Sequence, residues 1–415
     1  MSTKEKTKKK GKAGKIILKV LCVFLCVLVA FIGITTVVSV VGDKANTQKA
    51  QSFEQVKKDD TIVPEKDEDG NWTFTTDRDF KVLQLTDVHI GGGWMSLKKD
   101  AMALNAVAAM VTAEKPDLVV VTGDMAYPVP FQAGTFNNKA SAKIFASLME
   151  QLGVYWTVAF GNHDTELYSY YSREKIADFY ENSGFKYCIF TSGPEDVDGS
   201  CNQLINVKNT KGEITQSLYV FDSHSYTDGD FLGIMWKYDN IHENQVEWYK
   251  ESVLAIDAAN KALDPTCPMF SSLMFFHIPL KEYEDAWKEY KANGSKDTEN
   301  VKYLGGGYYE DNEKVCCGVG DDNLFETIVE LGSTKGIFCG HDHVNNAQLE
   351  YKGIRLVYGM SIDYLAYLGI DKKGAQRGCT VISIDENGNL SVSLESYYQD
   401  KYVSKYEKEK VSLDR

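Results

Sequence analysis

The sequence is short of several features that would settle its chemistry at once. Its nine cysteines include no C-x-x-C pair, which argues against a structural zinc site. Seven of them (Cys188, Cys201, Cys267, Cys316, Cys317, Cys339, Cys379) lie beyond the first apolar stretch, and that odd number leaves at least one thiol outside any disulfide scheme. No internal repeat is visible. Basic charge is scarce beyond the amino terminus: residues 1–20 hold eight lysines against Glu5, and taking that +7 from the net charge of −14 leaves the remainder near −21. Nucleic acid is therefore not an expected partner, because duplex binding relies on Lys and Arg to neutralise phosphates. The glycines at 305–307 are not spaced as a phosphate-binding loop. Histidine is rare as well, seven in 415 residues, and the positions of those seven are the most informative feature of the chain.

What is present suffices for a large core. The chain is 43% hydrophobic with 24 Tyr and 19 Phe, enough for one big α/β domain with appendages or for two domains. Val20 to Val41 is a run of 22 uncharged residues, close to the ~20 that cross a bilayer as a helix. It follows Lys4, Lys6, Lys8, Lys9, Lys10, Lys12, Lys15 and Lys19, and positive charge stays on the cytoplasmic side. A cleaved signal peptide would have a shorter apolar region and an A-x-A-like site, which this stretch lacks. The expected organisation is a cytoplasmic basic segment (1–19), a single-pass membrane anchor (20–41), a polar stalk (42–76), a large extracytoplasmic folded domain (77–400) and a charged tail (401–415).

Within the body, short apolar runs end repeatedly in polar clusters. Lys81–Leu85 leads into Asp87-Val88-His89, Leu118–Thr122 into Gly123-Asp124, and the strand beginning at Val154 into Gly161-Asn162-His163-Asp164. Helical spacing over Ser96–Glu114 and Ser141–Leu152 separates these runs, predicting parallel neighbours with right-handed crossovers. Ser217–Phe221 enters Asp222-Ser223-His224, Ser271–Phe276 ends at His277, and Lys335–Cys339 ends at Gly340-His341-Asp342-His343. Further helices are read over Arg173–Asn182, Gln245–Asn260 and Asn323–Leu331, with a loop between the first of them and Gly212, and strands over 348–351, 354–358, 379–384 and 390–397. Five of the seven histidines thus follow a strand, beside Asp87, Asp124 and Asn162. Imidazole with carboxylate suits zinc, manganese, iron or nickel rather than calcium or magnesium, and the ligands are enough for two ions.

These five blocks, in this order, resemble the calcineurin-like metallophosphoesterases, the superfamily that includes the purple acid phosphatases, over about Phe80 to Ile384. The resemblance implies a β-sandwich of two mixed sheets flanked by helices. It implies that Asp87, His89 and His343 hold one metal, that Asn162, His277 and His341 hold the other, and that Asp124 bridges them. His163 would touch substrate, with Asp164 fixing its ring. Phrases such as FKVLQLTDVH, FFHIPLKEY and IFCGHDHVN look closest to a purple-acid-phosphatase-related branch that keeps the D-x-H form. Purple acid phosphatases have Gly where this chain has His89 and use the Tyr of G-D-x-x-Y as an iron ligand. Tyr127 occupies that position, but with His89 available it is read as an aromatic beside the site.

The expected activity is hydrolysis of phosphate monoesters by a metal-bound hydroxide on two transition-metal ions (Mn, Fe or Zn, divalent or mixed-valence). Two divalent ions against Asp87 and Asp124 leave about +2, the local positive charge that an acidic body lacks. A cationic His163 would protonate the leaving alkoxide. The alternatives are a phosphodiesterase or nucleotide hydrolase with the same centre, and an idle ectodomain that binds a partner. His224 is a weaker substrate-binding candidate in a segment of ordinary turn chemistry, and Asp342 is read as orienting an imidazole.

Overall fold

The computed structural model describes residues 3–230, 233–320, 322–367, 370, 377–385, 388–395 and 398–404. Fourteen strands are described: β1 (Glu65–Lys66), β2 (Trp72–Thr75), β3 (Phe80–Leu85), β4 (Leu118–Thr122), β5 (Tyr155–Ala159), β6 (Gln203–Lys208), β7 (Ile214–Val220), β8 (Ser271–Phe275), β9 (Val301–Gly305), β10 (Thr334–Cys339), β11 (Gln348–Tyr351), β12 (Ile354–Tyr358), β13 (Cys379–Ile384) and β14 (Leu390–Glu395). They form two mixed sheets, one of nine strands in the order β1-β2-β6-β7-β8-β10-β12-β11-β9, the other of five in the order β14-β13-β3-β4-β5. The helices are α1 (Thr3–Ala50), α2 (Leu97–Glu114), α3 (Asn138–Leu152), α4 (Arg173–Asn182), α5 (Glu243–Leu263), α6 (Lys281–Ala292), α7 (Leu324–Leu331) and α8 (Tyr398–Lys401).

The period-2 alternation of strands explains the sandwich. In the larger sheet Leu218, Val220, Leu273, Phe275, Phe338 and Val357 join the core shared with the smaller sheet. Their neighbours Tyr219, Phe221, Met274, Phe276, Ile337, Leu356 and Tyr358 join a second core with residues of α5, α6 and α7. Both faces of these strands are therefore buried, which is why they read as continuous apolar runs. As the sequence predicts, β3, β4 and β5 are parallel neighbours connected through α2 and α3, so their carboxyl ends open on one edge.

Three segments differ from the sequence reading. The stretch expected as a stalk is folded onto the body: α1 runs unbroken to Ala50, Ala50, Phe53 and Val56 are buried in the first core, and β1 and β2 extend the larger sheet. Its polar composition hides this because α1 buries one narrow stripe (Thr35, Ser39, Gly42, Asn46, Ala50) recurring every three to four residues. The segment between α4 and Gly212, read as loop, contains β6, which pairs with both β2 and β7. The start of the expected loose tail is also packed: Tyr402 is buried and its hydroxyl donates to Glu114, while residues 405–415 lie outside the described ones. Upstream, Gly14–Ala50 is long and apolar enough to cross a membrane, and from Ile16 through Ala30 it is exposed all round. All nine cysteines are free thiols.

Candidate metal centre

The site is built from the loops at the carboxyl ends of β3, β4, β5, β8 and β10. After β3 and β4 the two chains continue side by side, with Asp87 N–H donating to Gly123 O (3.1 Å) and His89 N–H to Asp124 O (3.0 Å). Asp87, His89, Asp124 and His341 all have positive φ, between 48° and 75°, a conformation non-glycine residues adopt at some cost and that concentrates at functional sites. The glycines preceding the ligands make the crowding possible. A Cβ on Gly161 would lie 2.1 Å from Asp124 Oδ1, and one on Gly123, whose φ is +85°, 2.5 Å from His277 Nδ1.

The structure brings the sequence-predicted metal residues together in two buried groups that share Asp124. Asp87, His89, Asp124 and His343 present ligand atoms within 4.8 Å of one another, and so do Asp124, His277 and His341. Asp87 Oδ1 is 3.4 Å from His343 Nε2 and 3.8 Å from His89 Nε2, while Asp124 Oδ2 is 3.7 Å from His89 Nε2 and 3.2 Å from His277 Nε2. Asn162 joins the second group, its Oδ1 3.2 Å from His277 Nε2. His277 Nδ1 donates to Thr122 O (2.8 Å), which leaves Nε2 as the free lone pair aimed at Asp124 and Asn162.

Buried ligand atoms without a hydrogen-bond partner are placed as cation ligands would be. Asp87 Oδ1, Asp124 Oδ2, both ring nitrogens of His89 and Nε2 of His341 are buried without one, where buried polar atoms are otherwise paired. The electrostatics agree. Burial disfavours a charged imidazole, yet Asp124 pulls His277 up to about 9, and Asp363 with Asp87 pulls His343 up to about 10. Burial also opposes the charge of Asp124, but the surrounding histidines, His277 first, hold its carboxyl well below the usual range. Negative charge buried at this density draws positive charge, and the buried Asp and His set fits a binuclear metal site.

Around this cluster the roles of Asp164 and Asp342 differ from expectation, while Tyr127 is the aromatic beside the site that the sequence reading expects. His163 Nδ1 pairs with Glu166 Oε1 at 2.8 Å, not with Asp164. The Asp164 carboxylate is occupied by the backbone N–H groups of Gly161, Asp124 and Ala126, because the turn after β5 aims it back at the strand ends. Burial lowers the affinity of His163 for a proton, but Asp124 and Glu166 outweigh it and raise its pKa. His224 lies outside the cluster: its ring stacks on His242 (4.0 Å) and its Nε2 meets Gln245 Oε1 (3.0 Å). Tyr127 packs beside His89 and His163, and its hydroxyl donates to Gln132, with burial raising its pKa to about 12. Asp342 accepts from Tyr358 Oη and Cys316 N rather than from an imidazole.

Two residues escaped the sequence reading. Asp363 Oδ2 is 3.3 Å from His343 Nδ1 and accepts backbone N–H groups of Leu365, Ala366 and Tyr367, so it orients that imidazole. It follows β12 in no motif, and only the fold places it. Glu166, three residues after His163, could have been suspected as a short-range carboxylate partner. Arg173 ties the loop down through Asp222, Gly161 O (3.0 Å) and Ser225 Oγ (2.5 Å).

Comparison with known proteins agrees with this architecture. "Probable inactive purple acid phosphatase 28" of Arabidopsis thaliana is 26% identical over 71% of this chain and 73% of its own length. "Probable inactive purple acid phosphatase 14" of the same plant is 28% identical over 71% and 73%. "Phosphatase DCR2" of Saccharomyces cerevisiae is 28% identical over 66% of this chain but 45% of its own. Residues 80–345, which carry all five motif blocks, match the model of the calcineurin-like phosphoesterases, and the chain belongs to that family of phosphoric ester hydrolases.

Proposed function

We propose that this protein is a membrane-anchored phosphoesterase that uses two metal ions and acts on phosphate monoesters, with its catalytic domain on the extracytoplasmic side. The carrying observation is the pair of buried ligand groups sharing Asp124, with unpartnered ligand atoms converging between them. Asp87, His89 and His343 would hold one ion, Asn162, His277 and His341 the other, and Asp124 both. When bound, two such ions supply positive charge to the ester's oxygens and acidify water.

The chain's own groups do the rest. His163, partly exposed at the edge of the cluster and kept protonated by Asp124 and Glu166, gives its Nε2 proton to the leaving oxygen. Glu166 fixes the ring through Nδ1, and Tyr226, whose hydroxyl bridges Asn162 Nδ2 (3.1 Å) and Glu166 Oε1 (3.2 Å), joins the metal-side amide to the proton donor. The lysine-rich segment before α1's apolar stretch supports a cytoplasmic amino terminus.

A second reading, an idle ectodomain, has support in the two plant relatives whose printed names include "inactive". Retention of His163 with a dedicated carboxylate partner favours hydrolysis. The test is turnover of nitrophenyl phosphate and of bis-nitrophenyl phosphate by the metal-loaded protein. Faster release from the monoester is expected; preference for the bis-ester would make it a diesterase, and turnover of neither would favour the idle reading.

A further inference from the structure

The loops that build the metal centre also carry exposed apolar side chains, and these gather beside α1. Phe131, on the loop after β4, is 72% exposed, although its ring stacks on Phe31 of α1 at 5.4 Å. On the loop after β5, Leu167, Tyr168 and Tyr170 follow His163 within seven residues and are exposed. Tyr168 and Tyr170 both contact Phe136, and Tyr170 Oη hydrogen-bonds Thr36 Oγ1 of α1 at 3.0 Å.

Helix geometry sets the depth of this patch. A span of 20 residues from Val20, just past Lys19, ends at Ser39 after ~30 Å. A span over the uncharged run from Val20 ends at Val41. In both registers Phe31 is inside the apolar layer, so Phe131 beside it is at its edge or within it. Tyr170, at the level of Thr36, is about one helical turn inside the end of the span, near the layer where tyrosines concentrate at membrane surfaces. The free face of α1 at this height, Ile34, Val37, Val40 and Val41, is apolar and exposed too. A patch that continues a membrane-spanning helix is covered by the same bilayer.

An open groove of about 600 Å³ lies between Leu167 and Tyr170 of this patch and the residues that partner His163 and Asn162. Glu166 and Tyr226, the partners of His163 and Asn162, line one part of it and Tyr170 another. We propose that the rim of the metal centre is seated on the bilayer and that the substrate is a phosphate monoester carried by a membrane lipid; the substrate assignment rests on the phosphoesterase reading above. Hydrolysis would break the P–O bond to the lipid oxygen and form one to the oxygen of water. The proton on the lipid oxygen comes from His163, inorganic phosphate leaves into water, and the lipid alcohol stays in the membrane.

The test uses the full chain in nanodiscs that contain phosphatidic acid, with soluble nitrophenyl phosphate as the second substrate. Phe131→Ser is expected to lower phosphatidic acid turnover about tenfold or more while soluble turnover stays within about twofold, and Phe131→Leu to restore the lipid activity. Brominated acyl chains are expected to quench the added fluorescence of Phe131→Trp. Equal loss on both substrates, or hydrolysis of the soluble ester alone by the native chain, overturns the lipid assignment and leaves the phosphoesterase reading intact. Hydrolysis of neither overturns both, and absence of quenching overturns the seating whatever the activity.

Discussion

His163 and Glu166 form the pair on which proton delivery depends, and each can be removed without touching a proposed metal ligand. His163→Ala is expected to lower monoester turnover by about 10²–10⁴ with metal content unchanged, measured by kinetics beside elemental analysis. Glu166→Ala, which leaves the ring unoriented, should cost roughly 10–100-fold. An unchanged rate in both would remove His163 from the reaction. Gly161 shows the other single-residue dependence. Its hydrogen gives Asp124 room, so Gly161→Ala should destabilise the fold by roughly 2–4 kcal/mol and reduce metal content, as thermal melts and elemental analysis would show. Legibility follows the same line. The strand-end residues were readable because each follows an apolar run at fixed spacing. Asp363 was not, because it reaches His343 through the return of β12, and the assignment of Asp164 to the ring ignored that its carboxylate could be taken by backbone donors.

Among the elements, α1 does more than its apolar composition suggests. Asn46 Nδ2 donates to Asp100 Oδ2 (2.7 Å), and the same carboxylate accepts Gly91 N–H, Gly92 N–H and Ser96 Oγ–H, joining α1 and α2 to the loop after His89. Burial raises Asp100 to about 7 despite those donors. The folded state therefore holds this proton more tightly than the unfolded chain, whose Asp titrates near ~3.9. The contribution is fully present below that value and is lost as pH rises to about 7. Asp100→Asn should flatten stability across that window, by up to ~1.4 kcal/mol per pH unit in denaturant titrations. Identical slopes in both proteins would contradict this. The helix itself was predictable up to Val41, where apolarity ends. Its continuation was not, since a stripe of Thr, Ser, Gly, Asn and Ala gives little amphipathic signal; β6 mixes Gln203, Asn206 and Lys208 with its apolar residues, and β9 is an edge strand with one buried residue. A chain starting at residue 51 should consequently melt lower than one starting at residue 30, because it uncovers the faces of α2 and α3 that α1 packs against.

At the scale of the molecule, an acidic body arranges its loops so that one edge of two sheets collects four imidazoles and two carboxylates whose ligand atoms converge on two points sharing Asp124. The sandwich makes this possible by burying both faces of the larger sheet and leaving only the strand ends for chemistry. The most direct measurement is the number of metal ions per chain in the purified full-length protein, determined by elemental analysis beside Asp124→Asn. Two ions per native chain, falling to one or none in the variant, is the expected result. A native chain that binds no ion, or a variant that keeps both, would contradict the shared centre.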